Sequence, residues 1–167
     1  MFPYSRAHRR TMSADVVAGA LRSSARAAGV TGTGLILLNG DAPHAIGGSD
    51  VDAARLERAQ IALGSGPAFR CMVGGKPVAV CDLPTGYPDG HPELAPYTGP
   101  VHAVLSVPIR VRGLVSGSLD LYDHRPHPWS RRQIGTARGL ADVMADMLFL
   151  LAAQRAPVSA SLPGVTP

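Results

Sequence analysis

The sequence predicts an α+β fold in which a central antiparallel sheet of about five or six strands carries helices on both faces. The clearest observation is a pair of long runs rich in Val, Leu and Ile, residues 102–111 and 114–122, separated by Arg112-Gly113. Two intervening residues suffice for a hairpin, so these runs predict antiparallel neighbours. In addition, apolar residues recur at helical spacing near both ends of the chain, and shorter apolar runs between them are bounded by Gly, Pro and Asn.

A helix and a strand pair are predicted first. Residues 13–28 carry apolar side chains at helical spacing, with Ser13 as the N-cap and Gly29 closing the helix in a left-handed conformation. Residues 34–38 predict a buried strand, and residues 42–46 a weaker return strand across an Asn-Gly turn, because this dipeptide readily takes the positive φ that such turns need.

Two helices and a short strand are predicted next. Residues 51–63 form a helix capped by Asp50, with charges between apolar positions that share a helical period. Those positions are Val51, Ala54, Leu56, Ala59 and Leu63. Residues 68–73 are expected to form a second, shorter helix, and residues 78–80 a strand.

The segment from Pro84 to Pro100 contains five prolines, three glycines and few large aliphatic residues. It is therefore predicted to be a loop, with one short helix around residues 93–97. Long loops in compact domains often cover binding sites, which makes this segment a candidate lid.

The last predicted helix, residues 131–155, follows the N-cap Ser130 and is apolar on two sides. One stripe consists of Ile134, Ala137, Ala141, Ala145 and Leu148, and the other of Val143, Met147, Leu150 and Leu151. Because one sheet surface cannot cover both stripes, the helix is expected to pack on the sheet and also on a partner helix. Residues 156–167 lack periodicity and predict a disordered tail.

The charge pattern argues against nucleic-acid binding. The net charge is +4, but the basic residues are scattered, and Lys76 is the one lysine among sixteen of them. Their main run, Arg6 to Arg10, lies in residues 1–12, which predict a solvated, disordered tail without the aromatic interleaving of a base-contacting surface. We therefore expect no specific nucleic-acid contact.

Cysteine content and hydropathy predict a soluble cytoplasmic protein. Cys71 and Cys81 are too few for a disulfide scaffold and lack the spacing of a metal site. The longest strongly apolar run, residues 147–153, is far shorter than the ~20 residues that cross a bilayer, and the N-terminus lacks the apolar core of a signal peptide. Neither a membrane nor a metal partner is expected.

Four segments carry a pattern that resembles a known family in order and spacing. They are Gly64-Ser65-Gly66-Pro67, Val80-Cys81-Asp82-Leu83, Ser106-Val107-Pro108-Ile109 and Gly117-Ser118-Leu119-Asp120-Leu121-Tyr122. The family is that of GAF domains, and Trp129-Ser130 also resembles the start of its C-terminal helix. The likeness covers residues 13–155 and looks most similar to actinobacterial GAF domains of ANTAR-type regulators and sensor kinases.

The resemblance implies a GAF- or PAS-like sheet with a ligand pocket on one face, beneath the loops. It also implies that the first and last helices pair on the other face to make a homodimer. Since neither an ANTAR bundle nor a kinase would fit after Arg155, we expect a stand-alone sensor that binds a small molecule, signals through its dimer or through a separate signalling protein, and has no catalytic centre.

Known GAF ligands can be tested against the sequence. Haem-binding members use an axial His and a Tyr at positions that fall near Thr98 and Asp120 here, so haem is disfavoured, with His102 the nearest substitute. The Asn-Lys-Phe-Asp-Glu signature of cyclic-nucleotide binding has no counterpart, and neither cysteine stands in a bilin-attachment context. The ligand is left unidentified.

Two alternatives stay open. Free methionine-R-sulfoxide reductases are GAF enzymes that need a nucleophilic thiolate and a resolving thiol, which Cys71 and Cys81 could supply. That family, however, places a cysteine where this chain has Ala68, and residues 99–102 replace its Cys-Asp-x-x-x-Ser segment. The other alternative is a degenerate GAF domain that persists as a dimerisation scaffold.

Asp120 is the most informative polar residue for locating the site. In a central strand, alternation would place Leu119 and Leu121 on one face and Ser118, Asp120 and Tyr122 on the other. A carboxylate buried there needs a partner, either a ligand donor or a group of the protein itself, because an unpaired buried charge is costly. The candidate pocket residues are Phe69, Met72, Asp82, Tyr97, His102 and Asp120.

Overall fold

In the computed structural model of the protein, residues 6–85 and 88–155 are described, with side chains from residue 13 onward. The helices are α1 (Arg6–Ala28), α2 (Val51–Leu63), α3 (Pro67–Gly74), α4 (Ala95–Thr98) and α5 (Arg131–Ala153), and a 3-10 turn covers Leu83–Thr85. The strands are β1 (Gly32–Asn39), β2 (Ala42–Gly48), β3 (Val78–Val80), β4 (Ala103–Val111) and β5 (Leu114–Asp123). The predicted α+β class is confirmed.

The five strands form one antiparallel sheet in the order β2-β1-β5-β4-β3. Two-residue turns close the β1-β2 and β4-β5 hairpins, as predicted. The second turn has positive φ at both central residues, 52° at Arg112 and 79° at Gly113. This is the combination that matches the twist of the flanking strands. β5 therefore lies at the centre of the sheet, paired with β1 and β4.

The alternation of β5 separates the interior into two cores on opposite faces of the sheet. Leu119 and Leu121 belong to a core that includes residues of α1 and α5. Tyr122 belongs to a second core with residues of α2 and of the 84–100 loop. Helices on both faces were predicted and are found, with α1 and α5 on one face and α2, α3 and α4 on the other.

The start of α5 is fixed by a capping box and an indole. The Ser130 hydroxyl accepts a hydrogen bond from the Gln133 backbone N–H at 3.1 Å, and the Gln133 side chain accepts one from the Ser130 N–H at 2.9 Å. These two bonds satisfy donors that a helix start otherwise leaves open. The preceding Trp129 donates its Nε1–H to the carbonyl of Val80 at 3.1 Å, which ties this helix end to β3.

The two apolar stripes of α5 have different environments. Ala137, Ala141 and Ala145 are buried against the sheet, which confirms the first predicted stripe. In the second stripe, Val143 and Leu150 are 66% and 61% exposed. This surface has no cover within the described part of the chain.

The N-terminal boundary of α1 corrects the prediction. The helix begins at Arg6, not at Ser13, so residues 6–12 are helical and are not a disordered tail. The reason is local: Arg, Ala and Met favour helix, and residues 6–12 contain neither Gly nor Pro to stop it. The other segments predicted as tails, residues 1–5 and 156–167, lie outside the described residues.

Among the helices of the described residues, none combines the length and apolarity needed to span a bilayer.

Candidate functional site

A buried polar cluster lies on the sheet face covered by α2 and α3. In the sheet register, Gly34, Asp120 and Ser106 stand side by side on β1, β5 and β4. A Cβ at Gly34 would overlap the carboxyl group of Glu57, so this glycine makes the room that Glu57 of α2 occupies. We call Glu57, Gln60, Ser106, Ser118 and Asp120 the Asp120 cluster.

The hydrogen bonds of the cluster converge on Asp120. Gln60 donates its Nε2–H to Asp120 Oδ2 at 2.8 Å and to Glu57 Oε2 at 3.2 Å. The Ser118 hydroxyl donates to Asp120 Oδ1. Gln60 Oε1 accepts from the Ala68 backbone N–H at 2.9 Å, which fixes the orientation of the amide and joins α2 to the start of α3. Helix α2, helix α3 and strand β5 are thus held together through one side chain.

Electrostatics keep a proton in the cluster. Burial raises the pKa of Glu57 well above its usual value, and the nearby charge of Asp120 adds to this effect. Burial also raises the pKa of Asp120, against the opposing effect of hydrogen bonds from Ser118 and Gln60. Glu57 therefore holds its proton to higher pH than an exposed glutamate, and the neutral acid can donate to Asp120.

Several buried polar atoms on this side of the sheet have no hydrogen-bond partner among the described residues. They are Glu57 Oε1, Ser106 Oγ, His91 Nε2 and Thr98 Oγ1. Leaving such an atom unsatisfied costs about 1–3 kcal/mol, so each is a position where a ligand atom or a water molecule would bind favourably. All four belong to α2, β4 or the 84–100 loop, the elements that surround the second core.

The 84–100 loop closes over the second core. Leu83 and Leu94 are buried there, beside Val104 of β4. Glu93 Oε1 accepts a hydrogen bond from the Ser65 hydroxyl at 2.7 Å and lies 2.9 Å from His91 Nδ1. Because Ser65 lies in the turn between α2 and α3, these contacts fasten the loop to the helices above the cluster.

Five of the six predicted pocket residues divide into three groups. Asp120 is fully buried at the centre of the cluster. Asp82 and His102 are brought together at the sheet end, where Asp82 Oδ1 lies 2.6 Å from His102 Nδ1, and both are partly exposed. Phe69 and Met72 are half-buried on α3.

Tyr97 does not take the predicted position as a pocket wall. Its side chain is 59% exposed and lines a shallow groove with Arg55 and Arg58 on the outer side of α2. On the single turn of α4, the neighbouring Thr98 is the buried residue, so the tyrosine ring points outward.

Glu57 and Gln60 are site residues that the sequence interpretation missed. The predicted apolar face of α2 included Val51 and Leu63, which are exposed. The buried face instead consists of positions 53, 56, 57, 59 and 60. Positions 53, 56, 57 and 60 have the i, i+3, i+4, i+7 spacing of one helix face, and this spacing was the available signal. It was overlooked because two of the four residues are polar.

The two cysteines lie in different environments. Cys71 is fully buried on α3, and burial together with the charge of Asp120 raises the pKa of its thiol to about 12. Since the thiolate is the nucleophile, a thiol held protonated in this way is unreactive at neutral pH. Cys81 is exposed. Among the described residues, no group of three or more His, Cys, Asp or Glu side chains is arranged to hold a metal ion.

A groove lies on the opposite face of the sheet, beside α1 and α5. It is an open groove of ≈ 550 Å³ between α1, the β1-β2 hairpin and the end of α5. Its lining includes Val17 and Leu21 of α1 and Leu148 and Leu151 of α5. Of the second predicted stripe of α5, Leu151 lines this groove.

A known protein family matches most of this chain. The GAF domain family matches residues 11–148, and the chain belongs to this family. The curated proteins give no significant match.

Solved structures with the same fold have diverse roles. A type II free methionine-R-sulfoxide reductase from Thermoplasma acidophilum is 15% identical, with a TM-score of 0.66 over 86% of this chain and 96% of that chain. The GAF domain of a phosphoenolpyruvate-protein phosphotransferase from Coxiella burnetii is 17% identical, with a TM-score of 0.62 over 86% and 90%. A GAF domain/HD domain protein from Geobacter sulfurreducens is 14% identical, with a TM-score of 0.62 over 84% and 94%. At these identities the likeness extends to the fold alone.

Proposed function

We propose that this chain is a non-catalytic regulatory GAF domain. It binds a small molecule at the Asp120 cluster, beneath the 84–100 loop, and transmits the bound state through a homodimer formed by α1 and α5. The observation that carries the proposal is the Asp120 cluster itself, in which two carboxyl groups and further polar atoms are buried in the middle of an otherwise apolar interior.

A buried polar cluster of this kind lowers the stability of the folded protein if it serves only to fill the interior. Each buried polar atom without a partner lowers stability, and two neighbouring acids add a desolvation cost. The same groups would give orientation and specificity to a bound molecule, which is the usual arrangement of a few polar groups in an apolar site. Ligand binding is therefore the function that best accounts for Glu57, Ser106 and Asp120 together.

Support for dimerisation comes from the other face of the sheet. Val143 and Leu150 are exposed on α5, and Leu148 and Leu151 of the same helix line an open groove together with α1. Exposed apolar surfaces of this kind on helices commonly mark protein interfaces. A second copy would cover both α5 surfaces in the same contact.

Native mass spectrometry of the full chain, purified from its own host, tests ligand binding. We expect a mass above that of the polypeptide, which disappears on denaturation and is absent from Asp120→Asn. Asp142→Asn, which removes an exposed carboxylate of α5, should keep the added mass. Finding only the polypeptide mass in protein from the host would contradict the proposal and favour the scaffold alternative.

The scaffold alternative has one observation in its favour. Asp120 is hydrogen-bonded within the protein, by Gln60 and Ser118, and needs no ligand to satisfy these oxygens. A degenerate domain would keep its dimer and lack any retained molecule, so the same spectrum separates the two functions.

The reductase alternative is disfavoured by the environment of Cys71. A nucleophilic cysteine would need a thiolate, and burial keeps this thiol protonated. Turnover of free methionine sulfoxide with a thiol reductant, abolished in Cys81→Ser, would establish the enzyme instead.

A further inference from the structure

We propose that the molecule bound at the Asp120 cluster carries a cationic nitrogen, an ammonium or guanidinium group, which binds between the carboxyl groups of Glu57 and Asp120. This inference rests on the proposed function, because it names the chemical class of the ligand for the same site.

The charges of the cluster favour a cationic ligand. Two carboxyl groups lie next to each other, fully buried, and none of the ion pairs found among the described residues involves either of them. A buried carboxylate pair is stable only with a proton, a metal ion or a cation between its members. Among the described residues, no third His, Cys, Asp or Glu side chain joins the two carboxyl groups to complete a metal-ligand set, so an organic cation is the replacement for the proton that we test.

The hydrogen-bonding atoms of the cluster favour a ligand group with several N–H donors. The Gln60 amide is shared between both carboxyl groups, and its oxygen is held by Ala68. Glu57 Oε1 and Ser106 Oγ have no hydrogen-bond partner among the described residues. An ammonium group has up to three N–H donors and a guanidinium group five, so either could satisfy both free oxygens and Asp120 at once.

Binding would exchange one positive charge for another. The cation enters, the proton held by Glu57 leaves for solvent, and the net charge of the site is unchanged. One other titratable group, Cys71, lies near Asp120, and Arg110 lies near Cys71. Cys71 of α3 has a thiol pKa of about 12, so it does not exchange protons near neutral pH. Arg110 of β4 donates to the carbonyls of Gly75 and Gly113.

The test uses small probes of matched size on the full chain. Butylammonium and methylguanidinium chloride are compared with butanol, N-methylurea and butyrate, at constant ionic strength set with KCl, by thermal unfolding and by calorimetric titration. We expect stabilisation by one of the two cations and none by the neutral or anionic probes. Asp120→Asn should weaken binding about tenfold or more, because a charge-assisted hydrogen bond in a buried site has that value.

Proton exchange gives a second readout that folding defects do not mimic. Titration with the stabilising cation in buffers of different ionisation enthalpy should show release of about one proton per bound probe near neutral pH. Glu57→Gln, which has no exchangeable proton at this position, should release none. The exposed-carboxylate variant Asp142→Asn should behave like the unmodified protein in both measurements.

The outcomes separate this inference from the proposed function. Stabilisation by butanol, N-methylurea or butyrate, or a neutral or anionic molecule retained in native protein, would overturn the cation and leave the sensor intact. No stabilisation by any probe, together with no retained molecule, would overturn both. Binding of a cation that is equally tight in Asp120→Asn would place it elsewhere and overturn this inference.

Discussion

Glu57 and Asp120 place two carboxyl groups next to each other in the interior of the protein. Two carboxyl groups that would repel each other when ionised are kept together by a retained proton and by the shared amide of Gln60. Removing one partner from such a pair leaves the other buried and unsatisfied, which is costly. Asp120→Asn is therefore expected to affect stability as well as binding, and Glu57→Gln is the milder change.

The proton on Glu57 makes stability depend on pH. Its pKa is raised in the folded protein, so the folded state binds more protons than the unfolded state above the usual glutamate value of 4.5. The stabilisation from this proton is complete below that value and is lost as the pH rises through the folded pKa. The free energy of unfolding should fall by up to about 1.4 kcal/mol per pH unit in this window. Urea unfolding at pH 5, 6, 7 and 8 measures the slope.

Glu57→Gln provides the comparison for this pH series. Glutamine is isosteric and can still donate to Asp120, but it does not titrate. Its advantage over the unmodified protein should grow with pH, whereas Asp142→Asn should run parallel to the unmodified protein. Parallel curves for Glu57→Gln and the unmodified protein would contradict a raised Glu57 pKa.

At the residue scale, the sequence predicted a buried position for Asp120 at the centre of the sheet, which is found, but it did not indicate Glu57 and Gln60 as its neighbours. Asp120 was recognisable because it is a charged residue between Leu119 and Leu121 in a strand expected at the centre of the sheet, where a carboxylate needs a partner. Glu57 and Gln60 were not, because a polar residue on a helix is normally solvent-facing, and only the three-dimensional neighbour Gly34 shows that the interior has room for a carboxyl group. Distances between residues far apart in sequence supplied the missing information.

At the scale of elements, local sequence signals located the helices and strands well. The caps Asp50 and Ser130 stand at the predicted helix starts, since each side chain accepts a backbone hydrogen bond from its own first turn. The start of α1 was misplaced because Ser13 resembles a cap although the helix-forming residues continue upstream. Capping signals thus determined boundaries only where the preceding residues could not extend the helix.

The β4-β5 turn offers a test of element stability. Arg112 has a φ of 52°, which Asn or Gly tolerates better than Arg. Arg112→Asn should raise the free energy of unfolding by about 0.5–1 kcal/mol, less any loss of the stacking of the guanidinium over Phe149 at 5.9 Å. Thermal unfolding of the purified variant gives the answer.

Arg112→Ala separates the two effects in this turn. Alanine removes the guanidinium as Asn does, but it keeps the penalty of a left-handed residue, so it should be less stable than Arg112→Asn. Equal stability of the Ala and Asn variants would show that the backbone at residue 112 is not strained.

For the whole molecule, the sheet divides two proposed functions between its faces. Ligand-binding groups lie with α2 and α3, and the helices proposed to dimerise lie on the other side. The sequence indicated this division through the doubly apolar last helix, but it could not show which apolar residues stay exposed. Leu148 and Leu151 pack against the first core, whereas Val143 and Leu150 do not.

Dimerisation can therefore be disrupted without entering the core. The double variant Val143→Glu and Leu150→Glu places two charges on the exposed stripe of α5, and the proposed dimer should become a monomer, because burying these charges in an interface is unfavourable. Light scattering after size-exclusion chromatography measures the mass, and circular dichroism checks that the fold persists.

Val73→Glu is the matched control for the dimer variant. Val73 is 90% exposed on α3, on the sheet face opposite α1 and α5, so this change should leave the oligomeric state unaltered. A monomer at all concentrations of the unmodified protein, or an undisturbed dimer in the double variant, would refute the α5 interface.

The position of Asp120 between Leu119 and Leu121 places the two faces one peptide unit apart. Consecutive Cα atoms are about 3.8 Å apart and rigidly linked, so β5 cannot shift at residue 120 without carrying the two leucines on either side of it. Those leucines contact the core beneath α1 and α5. The shortest mechanical connection between the proposed ligand site and the helices proposed to dimerise is therefore the backbone of a single strand, and it requires neither a hinge nor a chain of intermediary side chains.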